Sequence, residues 1–326
     1  MTHHFLILFI ALLLDRVLGD PDWLWRRFPH PVTALGGAIG TVERIFNRKA
    51  DQAAIRRRNG WLAIVALVLA SLLIGTGLDR CFRLLGPAGA IVEVLVVAVF
   101  LAQKSLADHV AKVSIALRTG GLAEGRRAVS MIVGRDPQAL DEPAICRAAI
   151  ESLAENFADG VVAPAFWYAV LGLPGLIAYK TINTADSMIG HRNERYIDFG
   201  RGSALLDDWV NWPAARLSAL FIALASALSR GRRSGRRSIE AALGDAGLHR
   251  SPNAGWPEAA MAGGLDIALG GPRAYGGVAV HEPMLNAAGR KTLQPGDIAD
   301  AIGLFWWACM VVASLAAACW LLWIAL

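Results

Sequence analysis

The pattern of apolar positions divides the chain more sharply than any motif does. Residues 61–78, WLAIVALVLASLLIGTGL, run eighteen positions without a charge, the length a helix needs to cross a bilayer. Residues 301–326 are likewise uncharged, with Trp306, Trp307, Trp320 and Trp323 near the two ends, where a bilayer interface favours indole rings. Residues 88–103 follow a Gly-Pro turn and are interrupted only by Glu93, and residues 5–14 form a shorter stretch ending at Asp15 and Arg16. Two further stretches, 160–182 and 212–228, are apolar but punctuated. The first holds Pro164, Pro174, Gly160, Gly172 and Gly175, and the second holds Arg216. Spans, re-entrant hairpins and helices buried in protein all fit these two. The pattern predicts one all-α integral membrane domain over 1–326, with about four to six membrane segments, some re-entrant, and helical cytosolic loops forming the site.

The polar residues lie between these segments, in 15–60, 104–159, 183–211 and 229–300. Nine Lys/Arg fall in 15–60, seven in 104–159 and nine in 229–300, but only Arg80 and Arg83 in 79–87. Excess Lys and Arg marks cytosolic loops. That rule places the N-terminus outside, 15–60 inside, 79–87 outside and 104–159 inside. Block 183–211 lies outside if both punctuated stretches span, and inside if neither does.

Composition narrows the class. Of 326 residues 55% are hydrophobic and 18% charged, with a mean hydropathy of +0.43, which excludes an ordinary cytosolic globule and a disordered chain. The 32 Lys/Arg and 27 Asp/Glu need water, which excludes a pure transmembrane bundle. No basic patch interleaved with aromatics points to nucleic acid. Cys81, Cys146, Cys309 and Cys319 form no CxxC pair and read as reduced packing residues. The N-terminal stretch lacks a basic n-region and a small-x-small cleavage site, so it reads as a retained membrane segment. SRGRRSGRRS (229–238) reads as a flexible, solvated basic linker beside the membrane, able to touch anionic lipid.

Neither GxxxxGK[ST] nor a GxGxxG after a strand is present. The glycines of ALGGAIGT (34–41) sit at helix-packing spacing. Candidate chemistry falls in four polar blocks. In LDRVLGDPDWLWRRFPHPV, Asp15, Asp20, Asp22 and His30 form an acidic, proline-held turn that suits a cation or serves only as a capped loop. In 135–167, Asp141 and Glu142 before Pro143 predict a helix start. Along that helix Glu151, Glu155 and Asp159 recur at i, i+4 and i+8, putting three carboxylates on one face beside Asn156. Only Arg147 is placed to pair with them, so the row suits Mg²⁺ or a cationic ligand, or is a plain acidic face. The third block, 179–200, crowds Lys180, Asn183, Asp186, Ser187, Arg192, Arg195 and Tyr196 after an apolar segment. Guanidinium forks there match phosphate or propionate. In LLDDWVNWP, Asp207 or Asp208 and Asn211 lie one helical turn apart, a spacing that suits a divalent cation; a helix cap would explain one aspartate but not both.

Five ordered blocks, LDRVLGDP…HPV, ESLAENFADGVVAPAFW, YKTINTADSMIGHRNERY, FGRGSALLDDWVNWPAARL and SPNAGWPEAAMAGGLDIALGG, resemble the CobD/CbiB family of cobalamin biosynthesis from about residue 10 to 280. The resemblance implies an adenosylcobinamide-phosphate synthase, an ATP-dependent ligase. Such an enzyme joins (R)-1-amino-2-propanol or its O-phosphate to the remaining propionate of adenosylcobyric acid, releases ADP and phosphate, and requires Mg²⁺. Glu151, Glu155, Asp159, Lys180 and Asp186 are then the candidate catalytic residues. Asp20, His30, Asn156, Asn183, Ser187, Arg192, Arg195 and Tyr196 are candidates for binding substrate or phosphate. Glu155, Asp159, Asp207, Asp208 and Asn211 are candidates for holding Mg²⁺. The resemblance also implies a multi-pass protein of the bacterial inner membrane with a cytosolic site, in contact with membrane lipids. A second copy of the chain or other proteins of the pathway are the expected protein partners. Because ATP and corrinoid intermediates are cytosolic, block 183–211 should face inward, with 160–182 and 212–228 re-entrant or partly inserted. The rival readings are a corrinoid-binding or transport protein, and a non-catalytic sensor of the same fold. Transport predicts charges within the spans, where only Glu93 stands.

Overall fold

The computed structural model describes all residues except 1, 134–137, 139, 272, 276–277, 281 and 326. The chain is helical nearly throughout. Five helical stretches are long and apolar enough to cross a membrane: Ala53–Leu84, Pro87–Ser130, Glu142–Ile189, Arg201–Arg230 and Pro295–Ala325. This is an all-α integral membrane protein. All four cysteines are free thiols.

The helices group into two compact units, each built from separated parts of the sequence. One comprises residues 1–102, 163–211 and 316–326. It contains α1 (Thr2–Leu18), the short α2 (Asp22–Trp25), α3 (Pro31–Phe46), α4 (Ala53–Leu84), α5 (Pro87–Phe100) and α8 (Ala163–Ile189), with the start of α9 (Arg201–Arg230). At seventeen residues, α1 is shorter than any of the five spanning stretches. A buried cluster of Ile39, Ala63, Ile64, Ala185, Ile189 and Phe199 joins α3, α4, the end of α8 and the loop after it. The glycines Gly36 and Gly40 of α3 face Met188 of α8, in line with their packing spacing. Helix α8 breaks at Gly172, whose φ of 68° and ψ of −152° are left-handed, two residues before Pro174. A Cβ at Gly172 would also crowd the His4 ring at 3.0 Å, so the conformation calls for glycine and the close ring adds to that preference. Glu93 of α5 is buried and accepts a 2.7 Å hydrogen bond from the Tyr168 hydroxyl of α8.

The other unit comprises 103–162 and 212–315. It holds α6 (Gln103–Ser130), α7 (Glu142–Phe157), the rest of α9, α10 (Arg232–Asp245), α11 (Gly255–Leu265) and most of α12 (Pro295–Ala325). Asp141 caps α7 by accepting from the Ala144 N–H at 2.9 Å, with Pro143 in the first turn, as the sequence predicts. The basic segment 229–238 is not a flexible linker. Helix α9 runs to Arg230 and α10 starts at Arg232, because Ser234, Gly235 and Ser238 make a small, buried face. Ser234 Oγ donates to the Gly264 carbonyl at 2.6 Å and Ser238 Oγ to the Ala260 carbonyl at 2.7 Å, fastening α10 to α11. Its arginines spread over the other side. Helix α11 ends at Asp266, which is left-handed with φ 59°. Beyond it are two short antiparallel pairs, β1 (Leu269–Gly270) with β4 (Met284–Leu285) and β2 (Arg273–Tyr275) with β3 (Val278–Val280).

Candidate functional site

Block 183–211 is mostly helix. Helix α8 continues to Ile189 and α9 begins at Arg201, leaving only 190–200 as a loop. The loop is clamped at both ends by glycines. A Cβ on Gly200 would lie 1.6 Å from the Ile189 carbonyl oxygen, and one on Gly60 of α4 would lie 1.9 Å from that of Phe199. No side chain fits at either place.

This clamp holds α8 and α9 so that their polar faces meet through side chains. Asn183 Nδ2 donates to Asp207 Oδ1 at 3.3 Å, and Asn211 Nδ2 donates to Asp207 Oδ2 at 2.9 Å. The buried Tyr179 hydroxyl in turn donates to Asn211 Oδ1 at 2.9 Å. Tyr179, Asn211, Asp207 and Asn183 thus form one chain of hydrogen bonds across two helices, with each Asp207 oxygen held by a separate amide. Asp207 also interacts electrostatically with Asp186 and Asp208. The loop supplies the countercharge Arg192, which acts on Asp208, and also places His191 beside Asp186. A Cβ on Gly190 would fall 1.9 Å from Asp186 Oδ1, so this carboxylate folds back over the end of its own helix. Both aspartates, Asp207 and Asp208, lie in the second turn of α9, so neither is a helix cap. Lys180 is buried in α8, one residue beyond Tyr179.

The remaining residues of the third block turn elsewhere. Ser187 is exposed and donates to the Asn183 carbonyl of its own helix at 2.9 Å. Arg195 grips the buried Glu43 of α3 with both prongs of its guanidinium, Nε to Oε1 at 3.0 Å and Nη2 to Oε2 at 2.8 Å. Tyr196 lies under that guanidinium, 5.4 Å from ring centre to Cζ. Burial alone would raise the Glu43 pKa. The hydrogen bonds from Arg195 and Asn47 outweigh it and hold the carboxyl below its ordinary range. The same pairing holds the Arg195 pKa above its usual value.

In the first block His30 is the N-cap of α3. Its Nδ1 accepts from the Val32 N–H at 3.2 Å, while Nε2 faces Asp20 at 3.6 Å. That turn is a capped loop with an acidic partner. Asp15 is buried within α1.

The α7 carboxylates do not form one evenly solvated face. Helix α7 ends at Phe157, and Ala158–Val162 is a π-helical turn, so Asp159 falls where the i, i+4 register no longer applies. Glu151 is 3% exposed and accepts the Gly270 N–H at 2.7 Å, whereas Glu155 is exposed and Asp159 half-buried. Asn156 is exposed and donates back to the Ser152 carbonyl of its own helix at 2.9 Å.

Among the described residues no three His, Cys, Asp or Glu side chains converge on a closed metal cage. Magnesium at a nucleotide site needs less, one or two carboxylates completed by waters and phosphates. The hard oxygens of Asp186 and Asp208, on neighbouring helices beside a cationic loop, fit that mode. Sequence reasoning missed Glu43, Asn47, Arg56 and Tyr179. Of these only Tyr179 carried a signal, lying one residue before the polar run it orders.

The sequence model of the CobD/CbiB family, described as CobD/Cbib protein, matches residues 8–305. The cobalamin biosynthesis protein CobD of Rhizobium meliloti (strain 1021) is 60% identical over 307 residues, covering 94% of each chain. That of Sinorhizobium fredii is 58% identical over 313 residues, 96% of each chain. That of Rhodobacter capsulatus is 45% identical over 296 residues, 91% of each. No solved structure matches the chain. With a family match over nearly the whole length and relatives well above 30% identity, the chain belongs to the CobD/CbiB family of cobalamin biosynthesis proteins.

Proposed function

We propose that the protein is an ATP-dependent acid–amine ligase, joining 1-amino-2-propanol or its O-phosphate to the propionate of adenosylcobyric acid. The observation that carries this reading is the hydrogen-bonded meeting of α8 and α9 at Asp207, with Asp186 and Asp208 close enough to act on it electrostatically and Arg192 of loop 190–200 acting on Asp208. Both partners of the reaction need such a place. The amine arrives as an ammonium, which an acidic cluster attracts, and ATP arrives as a polyanion, which the arginines attract.

A carboxylate is a poor electrophile until its oxygen attacks the γ-phosphorus of ATP, which gives an acyl phosphate and ADP. The amine nitrogen then attacks the acyl carbon, phosphate leaves and carries off the proton that nitrogen sheds after attack, and the ammonium must first have lost another proton to free its lone pair. Asp207, fixed through both oxygens by Asn183 and Asn211, holds the amine and takes that proton. Asp186 and Asp208 would hold Mg²⁺, which would offset the phosphate charge. Arg192 supports the same phosphates, and Lys180, buried in α8 three residues before Asn183, supplies a further countercharge. The acyl phosphate must be kept from water, which a site at a bilayer surface favours.

The site faces the cytosol of the bacterial inner membrane in this reading, supported by the Lys/Arg excess of 15–60. The break of α8 at Gly172 supports a partly inserted 160–182. The deciding experiment is ATP hydrolysis by the purified protein. Turnover that requires both adenosylcobyric acid and the amine supports the reading, and turnover independent of either one refutes it. Cysteine placed at Asn193, in a background lacking exposed Cys81, should resist a membrane-impermeant maleimide added from outside. Labelling from that side would reverse the orientation.

A further inference from the structure

Arg195 and its surroundings form a second polar feature, separate from the aspartate cluster. A cavity of about 310 Å³ is lined by Lys49, Arg56, Asn193, Glu194 and Arg195. Its cations are built in from behind. Glu43, 4% exposed, receives the Arg195 fork and also the Asn47 amide at 2.9 Å. Asn47, the C-cap of α3, then passes the order on. Its Oδ1 accepts Arg56 Nε at 2.9 Å, and its Nδ2 also donates to the Arg195 carbonyl at 3.1 Å. Arg56 Nη2 closes the ring by donating to the same Arg195 carbonyl.

Four residues from three parts of the chain thus fix two guanidiniums before any ligand arrives. Arg56 bonds only to neutral oxygens, so no carboxylate among the described residues cancels its charge. Lys49 has no hydrogen-bond or ion-pair partner among the described residues. Glu194 is the one acid in the lining, and with Glu43 it leaves the pocket net positive. Surface cations that merely repel one another splay apart in water. Cations held together by a buried carboxylate and an amide are preorganised for an anion.

We propose that this pocket is a phosphoryl-binding subsite, in which Lys49, Arg56 and Arg195 receive a phosphate group of a soluble substrate and Glu43 and Asn47 position them. Where it names a substrate, the inference rests on the amide-ligase reading. The cavity is small, the size of a phosphate with a short attached chain rather than a corrin ring. Loop 190–200 carries Arg192 toward Asp208 at one end and Arg195 into the pocket further on. A ligand with its phosphate in the pocket therefore has its remainder held by the same loop that serves the aspartates.

Binding is measured by calorimetry on the full chain in phosphatidylcholine nanodiscs, with 1-amino-2-propanol O-phosphate, free 1-amino-2-propanol and a non-hydrolysable ATP analogue as probes. Lys49→Gln touches no contact that holds the fold, and Arg56→Lys keeps the charge while losing the fork. Each should weaken one phosphate-bearing probe by about tenfold or more, the scale of one charge-assisted hydrogen bond, and leave the free amine unchanged. Loss confined to the monoester marks an amine-phosphate site, and loss confined to the analogue marks a nucleotide site; both support the proposal. Unchanged binding of both probes in both variants overturns it. So does a loss seen only for phosphatidylglycerol vesicles, which would make the pocket a lipid headgroup site. Because the readout is binding, absence of amide formation would refute the ligase reading and leave the subsite standing.

Discussion

Two groups of acidic residues stand out in the sequence, and the fold treats them in opposite ways. Along α7 and the turn that follows it the carboxylates share one run of chain, and the fold gives each a different setting. Glu151 is buried against a backbone N–H, Glu155 is exposed, and Asp159 sits in a π-helical turn. On α8 and α9 the carboxylates come from two helices, and the fold gathers them around Asp207. Regular spacing along one helix sets up a row but no concavity. A site needs groups that approach from different directions, and here a glycine-clamped loop supplies the second direction.

The comparison breaks first at Asp207. Asp207→Asn keeps the shape and removes the charge but sets one NH2 against an amide donor, so it should lower amide-forming turnover by about a thousandfold, far more than the modest fall in Tm from one lost hydrogen bond accounts for. Full turnover in that variant would make the acids around Asp207 no more functional than those along 151–159. Gly60→Ala tests the clamp itself. Its Cβ would sit 1.9 Å from a carbonyl oxygen, which should destabilise by about 3 kcal/mol, read as a lower thermal midpoint in detergent. Glu151→Ala should do the reverse of Asp207→Asn, orphaning the Gly270 N–H at a cost of about 2 kcal/mol while kcat per folded molecule holds. A catalytic collapse without loss of Tm would return α7 to the active site. Asn183→Ala, which frees one Asp207 oxygen, should lower turnover by about tenfold, seen in kcat more than in KM.

The smallest effect concerns pH. Because Glu43 is held below its ordinary pKa, its pairing with Arg195 contributes stability above the usual carboxylate range. That contribution is lost as pH falls through the folded-state value. Thermal midpoints recorded on descending from about pH 6 should fall more for the wild type than for Glu43→Gln, and parallel slopes would show that the pair contributes nothing.

Hydropathy made the spanning helices legible, since the bilayer imposes length and composition directly. Asp141 and Pro143 were readable because a cap is a local event. So was the Asp207–Asn211 spacing, which sits within one turn and closes in a real hydrogen bond. What stayed hidden depends on distance along the chain. Glu43 and Arg195 lie 152 positions apart, and nothing local in either marks the other as its partner. The basic run 229–238 misled because its charges are conspicuous, while the serines and glycine that anchor it are bland. The three-carboxylate face assumed an unbroken α-helix, and a single π-helical turn is invisible to periodicity.

Glu93 bears on how the protein is made. A carboxylate within an apolar helix opposes insertion into lipid, and its remedy, the Tyr168 hydroxyl, lies 75 positions downstream. At a synthesis rate of about 5–20 residues per second, the ribosome delivers that partner only about 4–15 seconds later. Until then α5 has to wait at the insertion machinery or borrow another polar neighbour. The order in which segments leave the ribosome is therefore written into the pairing. A Tyr168→Phe chain should mature slowly in the membrane even where the finished protein is sound.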